Sequence, residues 1–307
     1  MDLRQLRYFV AVAEELHFSR AAARLNLAQS ALSAQIRALE DEVGGPLLVR
    51  STRRVSLTPA GEALLSDARE LLASAEVALR RARSLARGEL GVLRIAALGP
   101  APGGILAPVL DRFGTRHPRV RVELRTLAFS ELVEGLRSGQ ADIAFLYEPI
   151  DEPDLITTPL LTEPRVAVLP ASHRLAGRDT VTPGDLRGET FITHPDSVPQ
   201  AWRDFWVLVD EIGERPKVSP RTTDTLDEWL HLIGRGVGID TCPALISRYY
   251  SWPEVRFVAL RDAAPAEMVL ARRVDAEDRL IREFTELALE IARTATSNER
   301  TPYRPPV

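Results

Sequence analysis

The sequence predicts an α/β fold class in two parts: an all-α helix-turn-helix segment with a long helix behind it, and then a larger body of strands and helices. Two short amphipathic segments joined by a tight turn predict the first part. From Val92 onward the hydrophobic period changes, and strand patterns alternate with helix patterns. The 307 residues are enough for two or three domains.

The composition is that of an ordinary globular protein. Hydrophobic residues make up 45% and charged residues 27% of the chain, which excludes a mainly disordered protein. No apolar run approaches the roughly 18 residues of a membrane helix, and Met1–Arg7 becomes polar too early for a signal peptide. We therefore expect a cytoplasmic protein with no membrane partner. Cys242 is the only cysteine, so an intramolecular disulfide and a cysteine-based zinc site are both excluded.

The net charge of -4 is unevenly distributed along the chain. Residues 1–87 carry 13 arginines and 10 acidic residues, a balance of +3. The remaining residues have a balance of -7, which together with +3 gives the total. A mildly basic N-terminal third on an acidic body indicates an anionic partner for that third.

Three helices are predicted before Gly44. Ser19 is a suitable N-cap for the second, Arg20–Leu25, and Asn26 tolerates the left-handed conformation of a tight turn. The third runs from Gln29 to Glu42 and ends at Gly44-Gly45-Pro46. The first helix has apolar residues at steps of three and four, which share one face: Leu3, Leu6, Phe9, Val10 and Ala13.

The third helix has two distinct faces at 100° per residue. Its apolar arc consists of Leu32, Ile36, Leu39 and Val43. The opposite arc holds short polar groups and one arginine: Gln29, Ser30, Ser33, Ala34 and Arg37. Such an arc suits a helix that enters a major groove of DNA. The same pattern also fits an ordinary amphipathic surface helix.

A small hairpin, or wing, is predicted after the third helix, with strands at 47–49 and 53–57. Arg50, Arg53 and Arg54 cluster at its tip, where they would contact phosphates or a minor groove. Alternatively they form a solvated turn. Their position beside a helix-turn-helix favours DNA.

A long helix begins at Thr58-Pro59, with Thr58 as N-cap and proline at the first helical position. Its apolar stripe is typical of a coiled coil and favours a partner chain over packing against the chain's own body. The stripe consists of Leu65, Ala68, Leu72, Ala75, Leu79, Ala82 and Ala86, widened by Leu64, Leu71, Ala78 and Leu85.

The rest of the chain is predicted to form βαβ units with parallel strands. The predicted strands are 92–98, 120–126, 142–147, 165–170, 238–241, 256–260 and 268–272. The predicted helices are 105–116, 129–137, 183–187, 200–211, 226–234 and 276–293.

The N-terminal segment resembles the LysR-type transcriptional regulators over about 60 gapless positions. The matching residues are Leu6–Glu15, Phe18–Ala22, Leu25, Ser30–Ser33, Gln35-Ile36, Leu39-Glu40, Arg50, Arg54, Leu57-Thr58 and Ala60-Gly61. The C-terminal part resembles the family's effector domain more loosely, at Leu106–Pro108, Phe113, Pro118, Leu136, Gly139, Asp142, His173, Leu175-Ala176, Asp185-Leu186 and Gly236–Ile239.

The resemblance implies a winged helix-turn-helix (1–58), a linker or dimerisation helix with hinge (59–91), and an effector domain (92–293) like periplasmic solute-binding proteins. Lobe I of that domain would span 92–162 and 268–293, lobe II 163–267, and 294–307 would be a flexible tail. A small-molecule effector between the lobes and a homotetramer, a dimer of dimers, on double-stranded DNA are also implied. RNA polymerase is a further candidate partner.

The resemblance carries DNA contacts over to Gln29, Ser30, Ser33 and, in the wing, Arg53. The sequence departs from many members at Ser30, where proline is common, and at Ala34, where a longer polar residue is common. Ala34, Arg37, Arg50 and Arg54 complete the predicted DNA-binding set.

The effector cleft is expected at the carboxyl ends of parallel strands, near helix N-termini. Several relatives have a hydroxyl group just after the first strand to hold a carboxylate, but Gly99 and Pro100 stand there in this chain. Each candidate could equally be a plain loop residue. The candidates are Gly99, Pro100, Phe129, Ser130, Thr193, His194 and Thr223.

Neither a catalytic nor a metal site, nor a cofactor, is predicted. Residues 234–238 have the glycine spacing of a dinucleotide loop, but they follow a helix and precede a strand, the reverse of that motif, so we expect a tight turn. The five histidines show no paired ligand spacing. The alternative to a regulator is a cytoplasmic solute-binding module without a DNA-dependent function, but this would leave the basic N-terminal segment unexplained.

Overall fold

The computed structural model describes residues 1–50, 55–86, 91–99, 104–276 and 278–298. The chain divides into two compact units. Unit 1 comprises Met1–Arg87 together with Arg137–Gly139, and unit 2 comprises Gly88–Leu136 and Gln140–Val307.

Unit 1 is a winged helix-turn-helix followed by a long helix, as the sequence predicts. Its elements are α1 (Leu3–Glu15), α2 (Phe18–Arg24), α3 (Gln29–Val43), β1 (Leu48–Arg50), β2 (Val55–Leu57) and α4 (Pro59–Ala86). The strands β1 and β2 pair antiparallel, with Leu48 opposite Leu57. One buried apolar cluster joins α1, α2, α3 and the wing, and its largest members are Phe9, Leu32, Ile36, Leu39 and Leu47.

The predicted start of the second helix was wrong. Helix α2 begins at Phe18, and the ring nitrogen of His17, not the hydroxyl group of Ser19, caps it by accepting from Arg20 N at 3.4 Å. Because Ser19 lies inside the helix, its hydroxyl group is free to donate to Gln29 Oε1 at 2.9 Å. A predicted cap thus becomes a link between α2 and α3.

Thr58 caps α4 as predicted, because its Oγ1 accepts from Gly61 N at 3.0 Å. Gly61 lies so close to the wing that a Cβ atom there would be 2.1 Å from the carbonyl oxygen of Leu47. Arg69 of α4 also pairs with Glu14 of α1 at 3.1 Å. The start of α4 is therefore fixed to the helix-turn-helix at two places.

Two apolar residues that the sequence assigned to buried arcs are exposed instead. Leu3 and Val43 each keep 47% of their accessible surface. Both lie at the ends of their helices, beyond the buried part of the stripe. Side-chain periodicity predicts the direction of a residue but not how far the neighbouring helix extends.

Unit 2 has two lobes, each built on its own sheet. The chain starts lobe I with β3 (Gly91–Ala97), α5 (Leu106–Arg116), β4 (Val120–Thr126), a 3-10 turn (Phe129–Glu131), α6 (Glu134–Arg137), β5 (Ile143–Tyr147) and β6 (Leu155–Glu163). It builds lobe II with β7 (Arg165–Pro170), β8 (Thr180–Val181), a 3-10 turn (Pro183–Leu186), β9 (Thr190–Thr193), α7 (Gln200–Trp206), α8 (Val209–Ile212), β10 (Lys217–Thr222), α9 (Leu226–Gly234), β11 (Asp240–Pro243), α10 (Ile246–Tyr249) and β12 (Val255–Leu260). It returns to lobe I with β13 (Ala266–Arg273) and α11 (Arg279–Asn298).

Both main sheets are mixed, whereas the sequence predicted a parallel sheet. In lobe I the order is β4-β3-β5-β13-β6. Strand β3 is parallel to β4 and β5, but β13 is antiparallel to β5 and β6. The reason is that β6 leads out to lobe II and β13 returns beside it in the opposite direction. In lobe II the order is β11-β7-β12-β8, and a parallel pair, β9 and β10, adjoins it through the bridge between Phe191 and Ile239.

Several predicted elements differ in extent. The predicted helix 129–137 is a 3-10 turn followed by α6, and the predicted helix 200–211 is broken at Leu208, a buried residue with φ of 64°. Leu124 of β4 is exposed. Helix α11 continues to Asn298, into the segment 294–307 that was predicted as a tail, and residues 299–307 lie outside the described part.

A continuous apolar cluster joins the two lobes. It combines Phe145 and Phe284 of lobe I with Val166, Trp202 and Trp229 of lobe II. A second cluster, around Leu169 and Phe191, lies within lobe II alone. An inner cavity lies within the first cluster. Within the described ranges, no helix is both long enough and apolar enough to cross a bilayer.

Candidate functional site

The outward face of α3 is one candidate site. Gln29, Ser30, Ala34 and Arg37 are exposed, and Ser33 is half-buried. The face beneath them is fixed by Leu32, Ile36 and Leu39, none of which has measurable exposure. The predicted DNA-contacting residues of α3 therefore lie together on a helix that the core holds in place.

The N-terminal end of α3 presents backbone N–H groups that can donate to an acceptor. Asn26 takes the left-handed conformation, with φ of 54°, in the turn between α2 and α3. Ala28 is the N-cap and offers no side-chain hydrogen bond, so the first amide groups of α3 have no capping side chain. The Ser19 hydrogen bond holds the Gln29 side chain beside this helix end. Such an end can receive a phosphate oxygen or a base acceptor.

The wing is positioned by Glu40, a residue for which the sequence predicts no contact. Glu40 Oε1 accepts from the backbone N–H groups of Leu47 at 3.0 Å and Leu48 at 3.2 Å. This carboxylate links α3 directly to the start of the wing. Backbone pairing places Arg50 opposite Val55. The side chain of Arg50 and all of Arg53 and Arg54 lie outside the described residues.

The apolar stripe of α4 is covered in its first half and uncovered further on. Ala68 is fully buried, and Leu64 and Leu65 pack against the core of the helix-turn-helix. Leu71 and Leu79 keep 47% and 46% of their surface exposed. The described part of unit 1 therefore leaves a leucine-bearing surface on α4 without cover.

In unit 2, one contact joins the two lobes beside the predicted effector residues. Asp224, which follows β10 of lobe II, accepts three hydrogen bonds from lobe I. Its backbone oxygen accepts from Phe129 N at 2.8 Å, and its carboxylate accepts from Ser130 N and Ser130 Oγ, each at 2.7 Å. Ser130 was predicted to bind an effector, but in this structure its donors are occupied by Asp224.

His194 is the one predicted effector residue with an ionisable ring, and burial changes its pKa. It is 4% exposed, its ring lies 4.0 Å from that of Phe129, and its Nδ1 lies 3.2 Å from Thr223 O. Burial lowers the pKa of His194 to about 4, against a smaller opposing effect of the Thr223 carbonyl group. The imidazole is therefore neutral at physiological pH and contributes no positive charge.

This pKa shift has a measurable consequence for stability. Because the folded-state pKa lies below the unfolded value, unfolding takes up a proton as the pH falls from about 6.5 to about 4, and stability is lost over that window. We expect the loss to reach about 3 kcal/mol at the acid end.

The variant His194→Asn does not titrate but keeps a donor for the Thr223 carbonyl group. We expect its free energy of unfolding to depend less on pH between about 4 and 6.5. Urea unfolding at pH 7 and pH 4.5 measures the difference. If the free energy of unfolding fell equally in the two proteins between pH 7 and pH 4.5, His194 would not be the source of the loss.

An inner cavity of about 50 Å³ lies among the buried residues shared by the lobes. Phe129 and His194, both predicted, are part of its wall. Four further aromatic residues, Tyr147, Trp202, Trp206 and Trp229, also line it. The complete lining is Leu98, Phe129, Tyr147, His194, Trp202, Trp206, Leu226, Trp229, Asp240, Thr241, Cys242, Pro243 and Ile246.

Burial favours the neutral forms of the Asp240 carboxyl group and the Cys242 thiol group in this wall. Burial raises the pKa of Asp240 to about 8, although Trp229 Nε1 at 2.7 Å and Thr241 N at 2.8 Å donate to its carboxyl group. Burial also raises the pKa of Cys242 well above its usual range. The thiol is therefore protonated and unsuited to nucleophilic chemistry.

An outer cleft adjoins the inner cavity and shares Leu226 with it. Gly99 takes φ of 62°, and a Cβ atom at this position would lie 2.3 Å from Leu226 Cδ1. Both the positive φ and the nearness of Leu226 in lobe II therefore require glycine at position 99. The cleft is lined by Gly99, Thr126, Leu127, Ala128, Glu131, Thr225, Leu226, Asp227 and Tyr250.

The structure thus separates the predicted effector residues into groups. Phe129 and His194 line the inner cavity, Gly99 lines the outer cleft, and Ser130 belongs to the Asp224 contact. Thr193 ends β9, where its carbonyl group accepts from Thr223 N at 3.2 Å, and the buried Thr223 has an unpaired hydroxyl group. Pro100 lies outside the described residues.

Three tryptophans that line the inner cavity, Trp202, Trp206 and Trp229, are not among the residues predicted from the sequence. The spacing of Trp202 and Trp206, four residues apart on a short helix, was the available signal. Residues 234–238 form the expected turn between α9 and β11. Among the described residues, no cluster of three or more His, Cys, Asp or Glu side chains could hold a metal ion.

Two family models match the chain, one for each part. The model described as "Bacterial regulatory helix-turn-helix protein, lysR family" matches residues 3–62. The model "LysR substrate binding domain" matches residues 86–293. The first match contains α1 to the start of α4, and the second contains both lobes of unit 2.

Individual proteins match over most of the chain. The "HTH-type transcriptional regulator AlsR" of Bacillus subtilis (strain 168) is 35% identical over 289 residues, which is 94% of this chain and 95% of that protein. The "HTH-type transcriptional regulator ShiR" of Corynebacterium glutamicum (strain R) is 42% identical over 242 residues, 78% of this chain and 81% of that one.

Among solved structures, CbnR, "a LysR family transcriptional regulator", aligns with a TM-score of 0.63 and 28% identity, over 95% of this chain and 99% of that one. Full-length CbnR in complex with its target DNA aligns over 95% of this chain and 100% of that one, with a TM-score of 0.60 and 28% identity. The relatives are regulators and include one bound to DNA. The chain belongs to the LysR family: it is a DNA-binding transcriptional regulator with an effector-binding domain.

Proposed function

We propose that this regulator reads its operator with the exposed face of α3 and with the wing. The observation that carries the proposal is the exposure of Gln29, Ser30, Ala34 and Arg37 above the buried residues Leu32 and Ile36. Short polar side chains near a helix N-terminus can approach base edges in a major groove. The half-buried Ser33 and the wing arginines Arg50, Arg53 and Arg54 complete the proposed interface.

Assembly through α4 is the second part of the proposal. A helix of 28 residues with an uncovered leucine surface suits pairing with the same helix of another copy. We infer a dimer through residues 59–91 and a dimer of dimers on DNA. The winged segment, residues 1–58, would then occur in several copies on one operator.

Control by a small molecule in unit 2 is the third part. The Asp224 contact, the inner cavity and the outer cleft all lie where lobe I meets lobe II. A ligand bound there would change the angle between the lobes and, through it, the spacing of the winged segments on the operator. The ligand shifts this equilibrium only by its differential affinity for the two arrangements.

We further propose that the protein acts by binding rather than by catalysis and that it works in the cytoplasm, with RNA polymerase as a partner at the promoter. The protonated thiol of Cys242 and the neutral ring of His194 support a binding role for the inner cavity. Loss of operator binding by a chain without residues 1–58 would be expected under this proposal.

Replacement of Gln29 tests the groove assignment. Gln29→Ala should change which operator sequence is preferred, at a cost of about 1–3 kcal/mol for the cognate site, because a bidentate base contact is lost. Fluorescence anisotropy with the DNA upstream of the protein's own gene and with random DNA measures this ratio.

Arg53→Ala and Arg54→Ala serve as the contrast. They should weaken binding to both DNAs and reduce the salt dependence by about one unit for each lost phosphate contact. Equal weakening of specific and random binding by Gln29→Ala would show that α3 does not read bases.

A further inference from the structure

We propose that Ser19 is a positioning residue of DNA recognition: its hydroxyl group fixes the direction of the Gln29 side-chain amide and thereby sets the base that Gln29 prefers, an adenine. The inference rests on the proposed reading of the operator by α3, and it adds a specificity determinant from α2. Ser19 acts through Gln29 and needs no contact of its own with a base.

The hydrogen bond from Ser19 fixes which end of the Gln29 amide lies beside α2. Ser19 Oγ donates to Gln29 Oε1 at 2.9 Å. Because the hydroxyl group donates, the oxygen end of the amide lies toward α2, and the Nε2 amino group is turned away from it. The two ends of a glutamine amide have opposite hydrogen-bonding characters, so the direction of the amide decides which atoms of a partner it can bind.

The backbone on both sides of this hydrogen bond is held in place by the core of unit 1. Ser19 lies inside α2, and Gln29 is the first residue of α3. Ala22 of α2 and Leu32 of α3 are buried in the same apolar cluster. The tight turn between the two helices is set by Asn26, with φ of 54°. The Ser19 hydroxyl group and the Gln29 amide are therefore brought together by packed helices rather than by a free loop.

The other polar side chains of α2 are directed to α1. Arg20 Nε pairs with Glu15 Oε2 at 3.2 Å, and Arg24 Nη1 pairs with Glu14 Oε2 at 2.8 Å. Among the described residues of α2, Ser19 is thus the polar side chain that reaches α3. The position of the Gln29 amide therefore depends on one hydroxyl group, which a single substitution can remove.

The groups that remain on the Gln29 amide match adenine. Ser19 occupies one acceptor position of Oε1, which leaves a second acceptor position and both Nε2–H donors. A donor beside an acceptor fits the N7 acceptor and the N6 donor on the major-groove edge of adenine, whereas guanine carries the acceptor O6 in place of that donor. If the amide were turned round, its donor and acceptor would exchange places and lose this match.

The hydrogen bond should matter more in the DNA complex than in the free protein. Ser19 and Gln29 are both exposed, so water competes with their hydrogen bond in the free protein. A groove that excludes water strengthens it. An amide that is already oriented also loses less side-chain freedom on binding. We therefore expect the effect of Ser19 in base preference rather than in stability.

Base preferences measured position by position test the proposal. An operator is selected from a random-sequence DNA pool with the full-length protein, and each base pair is then replaced in turn for fluorescence anisotropy. Gln29→Ala should reduce the preference at one position, where we expect adenine, by about 5- to 150-fold. Ser19→Ala should reduce the preference at that same position by about 2- to 10-fold and leave the other positions unchanged.

Three further variants separate positioning from a structural role. Ser19→Thr keeps a hydroxyl group and should keep the wild-type preference. The double variant Ser19→Ala with Gln29→Ala should be no worse than Gln29→Ala alone, because no amide is left to orient. Ser66→Ala is the matched control, since it removes the same hydroxyl group from an exposed position of α4 and should change no preference.

The outcomes distinguish this inference from the proposed function. If Gln29→Ala removes a preference and Ser19→Ala does not, the positioning role is wrong and base reading by α3 stands. Equal losses at every position in Ser19→Ala, additive losses in the double variant, or a base other than adenine at the Gln29 position would also overturn the inference. If Gln29→Ala changes no preference, or if the wild-type protein enriches no sequence, the inference and the proposed reading by α3 both fail.

Discussion

Replacing Leu72 and Leu79 with glutamate should break the pairing of α4 helices, lower the mass of the protein in solution and abolish operator binding. Leu79 is 46% exposed in one chain, and Leu72 is half-buried on the same stripe of α4. Pairing of two α4 helices would bury both leucines, so each glutamate would place a charge in an apolar seam. Multi-angle light scattering measures the mass, and fluorescence anisotropy measures binding of the upstream DNA.

The matched control adds the same two charges to the other side of the helix. Ser66→Glu and Ser74→Glu lie on the exposed face of α4, away from the stripe, and should leave both the mass and DNA binding unchanged. A wild-type monomer at micromolar concentration would contradict assembly through α4. So would a glutamate variant of Leu72 and Leu79 that keeps the wild-type mass.

Replacing Arg165 with methionine should destabilise unit 2 by about 3–5 kcal/mol, because it leaves a largely buried carboxylate without its cation. The Arg165 side chain has no exposed surface, and Glu211, its partner at 2.7 Å, is 14% exposed. The arginine also satisfies Phe205 O and Thr241 Oγ1, so the methionine would orphan several acceptors at once. All four tryptophans of the chain belong to unit 2, so urea unfolding followed by tryptophan fluorescence reports on this unit.

An exposed ion pair provides the comparison for Arg165. Arg174 pairs with Glu189 at 2.8 Å, but its side chain is 58% exposed, and Arg174→Met should cost less than about 1 kcal/mol. Adding Glu211→Gln to the Arg165 variant should recover part of the lost stability, because it removes the unpaired charge. Equal costs for the two arginine variants would show that the buried pair is not specially important.

The outward face of α3 was predictable because its pattern is local. Leu32, Ile36 and Leu39 recur at the helical period, so the opposite arc, with Gln29 and Arg37, had to face outward. The N-cap of α2 was less predictable, since His17 and Ser19 can both accept from an amide group. Which of them does so depends on the position of Gln29, whose side chain engages Ser19.

The inner cavity was only partly predictable, because its wall comes from distant segments. Phe129 and His194 follow strands, and the rule that ligands bind at strand ends identified both as candidates. Trp202 and Trp229 lie on helices, where an aromatic residue equally fits an ordinary core. Ser130 appeared available in the sequence, and only the fold shows Asp224, 94 positions later, accepting its hydrogen bonds.

The placement of β13 has a consequence for the synthesis of the chain. Its first residue, Ala266, pairs directly with Glu163 at the end of β6, so all of lobe II is inserted between two neighbouring strands of one sheet. At roughly 5–20 residues per second, the ribosome takes about 5–20 s to make the segment between them. During that time β5 and β6 lack the strand that separates them and present unpaired edges, which are sites of aggregation. Lobe II is therefore the first half of unit 2 to be complete on the ribosome, and lobe I, which begins earlier in the sequence, is the last.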